Sequence, residues 1–311
     1  MRYTYLRQNV LALLTLCTFL GANENSHAQW HYRATREFVI AYTPIDASTS
    51  AHTLGILQQT YQRLQRVFQD SLKVPIVVFI CADRETFSSL SNDMAPDWGD
   101  GLANLTNRRM LLLSPQATAY RRPLRDVVAH ELIHFMMHDL VAGKHVPVWL
   151  AEGAAIYYSG ETEHSDPILI SRAILTNSLV AFDELDQVLK FEAARASLAY
   201  QESYQAVRFL IQRHGEAAVR EICKKLAASS DLNNAFKESF GKDLIDFETA
   251  YFDWLRQNYR WQFLMDASMI TWAVIIILLI VAIIAVRWRT RRKIAEWEKE
   301  DEAATPPPEV A

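Results

Sequence analysis

Two histidines and two glutamates in the middle of the chain have the types and the spacing of a catalytic metal site. His130, Glu131 and His134 occur in the segment VVAHELIHFMMHDL, and Glu152 follows in VWLAEGAAIYY. Residues four apart on a helix are separated by about 40° around the axis and by roughly 6 Å along it. Both imidazoles can therefore share one ion while the carboxylate of Glu131 lies near a water on that ion. We predict a Zn²⁺ ion held by His130, His134 and Glu152, with Glu131 as general base.

The residues around this motif help to distinguish a metal site from an ordinary surface helix. The distinction is needed because the five residues from His130 to His134 alone also fit a helix with two surface histidines and a solvated glutamate. The apolar stripe of Val127, Val128, Leu132 and Phe135 favours a partly buried helix instead. Unpaired imidazoles and carboxylates are costly beside a buried face. Glu152 is similarly isolated in an apolar, small-residue run, and a cation would explain it. The combination indicates a metal-dependent hydrolase.

These residues resemble the gluzincins, the thermolysin-like metallopeptidases, and most closely the small bacterial peptidase domains of the MA-like superfamily. The resemblance is strong over His130–His134 and Pro147–Gly153, and looser over Ala199–Gly215 and the rest of residues 30–255. It implies a peptidase acting on a peptide or protein substrate. By resemblance, Tyr200 is the oxyanion donor, with Tyr204 or a purely packing tyrosine as alternatives.

The resemblance also implies a substrate-binding edge strand and leaves one position unexplained. Ala103 and Asn104 lie where such a strand would pair with the substrate backbone, although an ordinary core strand is the alternative. Many gluzincins carry an aspartate four residues after the glutamate ligand, where this chain has Ile156. A partner for a ligand histidine must therefore come from elsewhere, and Asp126 is a candidate. His138 extends the histidine face by a turn and is interpreted as peripheral.

Both ends of the chain carry segments that indicate export and membrane anchoring. Residues 1–28 have the basic start, apolar centre and small-residue end of a signal peptide. Residues 267–286 form an uncharged apolar run as long as a bilayer core is thick, and five basic residues follow it: Arg287, Arg289, Arg291, Arg292 and Lys293. This asymmetry predicts a single-pass protein of the inner or plasma membrane, with residues 29–266 extracytoplasmic and the tail of residues 287–311 cytoplasmic.

The order of elements predicts an α+β fold. An N-terminal lobe with a mixed sheet and helices (strands near 37–43, 75–82 and 102–114, and a helix over 48–72) precedes an all-helical C-terminal lobe that begins near Leu124. The zinc site is expected between the two lobes. Cys81 and Cys223 remain after removal of the signal peptide, either as a disulfide or as two buried thiols. The net charge of −4 gives no indication of nucleic-acid binding.

Three functions fit the sequence. The first is a membrane-anchored zinc peptidase, as the resemblance implies. The second keeps the metal but acts as an amidase on cell-wall peptides, and no local feature separates it from the first. The third is a catalytically inactive scaffold with a vestigial site, against which the intact Glu131 argues.

Overall fold

The computed structural model describes residues 29–92, 99–117, 122–161, 166–186, 191–229, 231–265 and 267–304. The predicted signal peptide lies outside the described residues, as do residues 93–98 and the end of the tail. Within the described ranges the chain has the α+β organisation predicted from its sequence, with a mixed sheet first and helices afterwards.

The N-terminal part contains a five-stranded sheet in the order β1-β2-β3-β5-β4. Its strands are β1 (His31–Ala34), β2 (Phe38–Tyr42), β3 (Ile76–Cys81), β4 (Gly101–Asn104) and β5 (Arg109–Leu113). The three central strands β2, β3 and β5 are parallel, whereas β1 and β4 pair antiparallel at the two edges. The sequence predicted the central strands but not β1, whose four residues are all exposed and carry no alternating apolar pattern.

Two helices connect the strands of the sheet. Helix α1 (Ala47–Phe68) links β2 to β3, and its stripe of Leu57, Leu64 and Phe68 is fully buried. Helix α2 (Arg84–Ser91) follows β3, and Asp83 caps it by accepting a hydrogen bond from the Thr86 N–H at 2.7 Å. A crossover helix is what two parallel neighbouring strands require.

Helices make up the rest of the chain. They are α3 (Leu124–Leu140), α4 (Val148–Ser159), α5 (Pro167–Thr176), α6 (Phe182–Leu185), α7 (Ala193–His214), α8 (Ala218–Ser229), α9 (Leu232–Phe240), α10 (Leu244–Tyr259) and α11 (Ala267–Ala304). Helix α3 is apolar nearly all round because it packs against α1 and β4 as well as against α4. Helix α4 in turn packs along α7.

An aromatic cluster fixes the start of α4. The indole of Trp149 is 1% exposed and stacks on Phe182, with ring centroids 4.4 Å apart and an interplanar angle of 9°. Phe236 and Phe247 pack on the same indole. Buried aromatic pairs of this kind each add about 0.5–1.5 kcal/mol beyond their area burial. The residue one turn further along α4, Glu152, therefore projects from a rigid helix.

The last helix, α11, contains a candidate membrane span, Ile270–Ala295, which is long enough and apolar enough in its most apolar window to cross a membrane, and whose C-terminal end carries the five basic residues. None of its most apolar window is buried within the described protein. A 3₁₀ turn at Gln262–Met265 precedes it. Ser171 of α5 binds this connection twice: its hydroxyl accepts a hydrogen bond from the Phe263 N–H at 2.9 Å and donates one to the Arg260 carbonyl at 3.3 Å.

Cys81 and Cys223 are both free and buried, so the structure contains two separate thiols rather than a disulfide. Burial raises the pKa of each thiol to about 12, with Asp83 and Asp46 adding to the effect at Cys81. A thiol with such a pKa carries almost no thiolate at neutral pH and is therefore unreactive.

Candidate metal centre

His130, His134 and Glu152 meet in one cluster. Their ligand atoms all lie within 4.8 Å of one another. The Nε2 atom of His130 is 3.4 Å from Oε2 of Glu152, and Nε2 of His134 is 3.7 Å from Oε1 of the same carboxylate. The two histidines come from consecutive turns of α3 and the carboxylate comes from α4, as the sequence predicted.

The geometry of this cluster fits a zinc ion. Tetrahedral zinc binds nitrogen and oxygen ligands at about 2.0–2.2 Å, so two such ligand atoms lie roughly 3.3–3.6 Å apart. The observed separations of 3.4 and 3.7 Å match this spacing. Two imidazoles and one carboxylate are also the donor set of a catalytic zinc site, which keeps a fourth position for water.

The electrostatics of the cluster likewise favour a cation. Burial alone would lower the pKa of His130, but hydrogen bonds to Glu152 and Glu161 raise it to about 10. Burial would raise the pKa of Glu152, but the nearby His134 and His130 lower it. The carboxylates thus hold positive charge in this position, and a divalent ion would take the place of the proton.

Glu131 lies beside the edge strand β4. Glu131 is 6% exposed. A Cβ atom added to Gly101 would lie only 2.7 Å from Oε1 of Glu131. The same Cβ would approach Cγ1 of Val127 to 2.7 Å. A side chain at position 101 would therefore displace the carboxylate of Glu131 or the side chain of Val127, and glycine leaves room for both. The sequence alone does not indicate this role, because it depends on contact between two distant segments.

The second ring nitrogen of His130 faces Glu161. Nδ1 of His130 is 2.8 Å from Oε1 of Glu161, and the hydroxyl of Ser159 is 3.1 Å from the same oxygen. Nη1 of Arg122 lies 3.2 Å from Oε2. Ile156 cannot supply a partner for a ligand histidine, and Asp126 was the candidate that the sequence offered. In the structure Glu161 contacts this nitrogen.

Tyr200 of α7 lies within electrostatic range of the cluster. Burial raises the pKa of its phenol, and the negative charges of Glu152 and Glu131 raise it further. The phenol therefore keeps its proton and can donate a hydrogen bond. Tyr204, one turn later, instead packs its ring near Tyr157, with centroids 6.4 Å apart. His138 lies outside the cluster, at the far end of α3 near the turn at Gly143.

A glycine also sets the distance between α4 and α7. A Cβ atom on Gly153 would lie 2.2 Å from the carbonyl oxygen of Ser203 and 2.7 Å from Cγ2 of Val207. The two helices are thus in backbone contact immediately beside Glu152. This approach keeps the ligand on α4 close to Tyr200 on α7.

Comparison with known proteins places this site in a family. The model of the "Peptidase MA superfamily" matches residues 56–257, which include every residue of the cluster. A curated relative, YhcO of Bacillus subtilis, described only as an uncharacterized protein, is 26% identical over 136 residues, which is 42% of this chain and 40% of YhcO. The chain therefore spans well under two thirds of that relative.

Solved structures show a more remote likeness. Native leukotriene A4 hydrolase from Saccharomyces cerevisiae is similar over 68% of this chain and 36% of its own, at 11% identity and a TM-score of 0.42. The M1 zinc metallopeptidase from Deinococcus radiodurans is similar over 73% of this chain and 51% of its own, at 14% identity and a TM-score of 0.36.

Proposed function

Because the chain belongs to the Peptidase MA superfamily, we propose that it is a membrane-anchored zinc peptidase that hydrolyses peptide bonds. As a gluzincin-like member of a zinc metallopeptidase family it carries the cluster of His130, His134 and Glu152. The convergence of these three ligand groups within 4.8 Å is the observation that carries the proposal.

The roles of the protein groups follow from their positions. A zinc ion held by the three ligands would supply a water with a pKa of about 7 and would polarise the scissile carbonyl. Glu131 then accepts the proton of the attacking water and delivers it to the leaving amine. Its carboxylate lies beside Gly101 of β4, where the lack of a side chain leaves room for it. Tyr200 donates a hydrogen bond to the developing oxyanion.

The outer edge of β4 is where we propose that substrate binds. No strand in the described ranges pairs with this edge. The N–H of Leu113 donates to the carbonyl of Asp100 at 2.9 Å, and the register pairs Gly101 with Leu112. Since hydrogen-bonded and non-bonded pairs alternate along an antiparallel ladder, the backbone groups of Gly101 and Ala103 point away from β5.

This alternation refines the predicted substrate contacts. Ala103 has its N–H and C=O free for an added peptide strand, and Gly101 joins it. Asn104 pairs with Arg109 in the register, so its backbone groups are directed into the sheet. In the proposal Asn104 borders the substrate rather than extending the ladder.

The proposed placement in the cell follows the sequence pattern. Residues 1–28 act as a signal peptide, residues 29–266 form the extracytoplasmic peptidase domain, residues 267–286 cross the membrane, and residues 287–311 form a cytoplasmic tail. The candidate membrane span Ile270–Ala295 supports the anchor, and the basic residues after position 286 support the orientation.

The Glu131→Gln variant tests the proposal. A peptide library is incubated with the full-length protein in detergent, and cleavage of the peptides is measured. The zinc content of each preparation is measured in parallel. We expect wild-type cleavage of peptide bonds, and a loss of at least about 100-fold in kcat/KM for Glu131→Gln with one zinc ion retained. Cleavage of cell-wall amides alone would replace the peptidase by an amidase. No hydrolysis by zinc-loaded wild type would refute an enzymatic function.

A further inference from the structure

Glu161 is a buried carboxylate for which the catalytic steps above have no role. Its side chain is 2% exposed, and it follows the end of α4 by two residues. Gly160 caps that helix with a φ of 84°, in the left-handed region that glycine adopts without strain. The resulting turn returns the chain towards α3, so that the carboxylate of Glu161 lies beside Nδ1 of His130.

The contacts of Glu161 use both of its oxygens. Oε1 lies 2.8 Å from Nδ1 of His130 and 3.1 Å from the hydroxyl of Ser159. Oε2 lies 3.2 Å from the guanidinium of Arg122, which is itself only 18% exposed. An ionised carboxylate with these partners is an acceptor only, so it requires that Nδ1 of His130 carry a proton. Nε2, the atom facing Glu152, then has its lone pair free for a metal.

We propose that Glu161, held by Arg122 and Ser159, is the positioning residue that fixes the tautomer and the ring orientation of His130 for metal binding. It supplies, from the turn after α4, the carboxylate that Ile156 does not provide from within the helix. Partners of this kind typically change metal affinity by about 10–100-fold when removed. The inference rests on the proposed function, because it assumes that the cluster binds zinc.

Arg122 extends the same arrangement towards the reacting groups. Burial alone would lower the pKa of its guanidinium, but the charges of Glu161, Glu131 and Asp100 raise it. The guanidinium of Arg122 therefore balances the negative charge of Glu161, with which it forms an ion pair. Its effect on zinc should pass through Glu161, and the two residues should not act additively.

The test measures zinc affinity and metal-free stability separately. Full-length protein in detergent is stripped of metal, and the zinc dissociation constant is obtained by competition with a chromophoric chelator. We expect about 10–100-fold weaker binding for Glu161→Ala, a smaller loss for Glu161→Gln, and a measurable loss for Arg122→Met. Arg122→Met added to Glu161→Ala should weaken binding no further than Glu161→Ala alone.

A matched control is Glu202→Gln, which alters another buried glutamate, on α7, whose carboxylate accepts a hydrogen bond from the N–H of Val180. Its zinc dissociation constant should equal that of the wild type. A folded Glu161→Ala protein with wild-type zinc affinity and a lowered metal-free melting temperature would overturn the inference, since Glu161 would then be structural only. Tight zinc binding without peptide hydrolysis would instead refute the proposed function and leave this inference standing.

Discussion

Replacing Gly153 by alanine should lower both the stability of the protein and its affinity for zinc. The added Cβ would lie 2.2 Å from the carbonyl oxygen of Ser203, whereas an ordinary non-bonded contact is about 3.5 Å. Because the obstructing atom belongs to the backbone of α7, a side-chain rotation cannot relieve the clash. Helices α4 and α7 must separate by about 1 Å, which corresponds to the overpacking that destabilises proteins by roughly 1–3 kcal/mol.

The expected magnitudes follow from this displacement. For a domain of this size, about 1–3 kcal/mol lowers the melting temperature by roughly 2–12 °C. Glu152 is the neighbouring residue, and zinc sites tolerate ligand displacements of only about 0.2 Å. Zinc affinity should therefore fall as well. Thermal unfolding of the metal-free protein by circular dichroism isolates the packing effect, and chelator competition measures the effect on the site.

Gly55→Ala is the matched control. Gly55 lies within α1, where an added Cβ would have no atom within 4 Å. Alanine in a helix interior is favoured over glycine by about 0.5–1 kcal/mol, so this variant should melt slightly higher than the wild type. A Gly153→Ala protein that melts within 1 °C of the wild type and binds zinc equally well would refute the argument from close helix packing.

Three further predictions concern the base, the zinc helix and a buried acid. Gly101→Ala should reduce kcat/KM by at least about tenfold while zinc content stays at the wild-type value, because the new methyl group displaces the carboxylate of Glu131; unchanged kinetics would contradict it. Asp139→Asn should destabilise the protein by about 1–3 kcal/mol in urea unfolding without altering zinc affinity, since it breaks the ion pair with Arg108 at 2.8 Å; equal midpoints would refute this. Burial raises the pKa of Glu202 to about 8, although the hydrogen bond that its carboxylate accepts from Val180 opposes this shift. Because the pKa is higher in the folded state than in the unfolded state, the contribution of Glu202 to stability is fully present below pH 4.5. This contribution is lost as the pH rises towards 8. Melting temperatures of Glu202→Gln relative to wild type should accordingly increase from pH 5 to pH 8.5, and a constant difference would exclude this linkage.

The metal ligands could be predicted from the sequence because their geometry is mostly local. Two residues of α3 share a face by helical periodicity alone, and Glu152 is conspicuous as a carboxylate in an apolar run. The central strands were also predictable, since a buried parallel strand appears as a continuous apolar segment. The general α+β class followed from the order of these elements.

The parts that the sequence did not reveal depend on contacts between separate segments. Glu161 follows Glu152 by nine positions and reaches His130 only because the chain reverses at Gly160. The close approach of the α7 backbone to Gly153, and the room that Gly101 leaves for Glu131, arise from tertiary contacts that no periodicity encodes. Strand β1 is stabilised by pairing with β2 rather than by burial, so its side chains carry no signal.

Two hydrogen bonds of Ser171 connect α5 to the segment that precedes the long apolar helix. They fasten the segment around Phe263 to α5 just before the long apolar helix begins. In the proposed membrane-anchored peptidase, this attachment would restrict the movement of the catalytic domain around its anchor. The active site would then lie at a nearly constant height above the lipid headgroups, and exposed chains would be cleaved at that height.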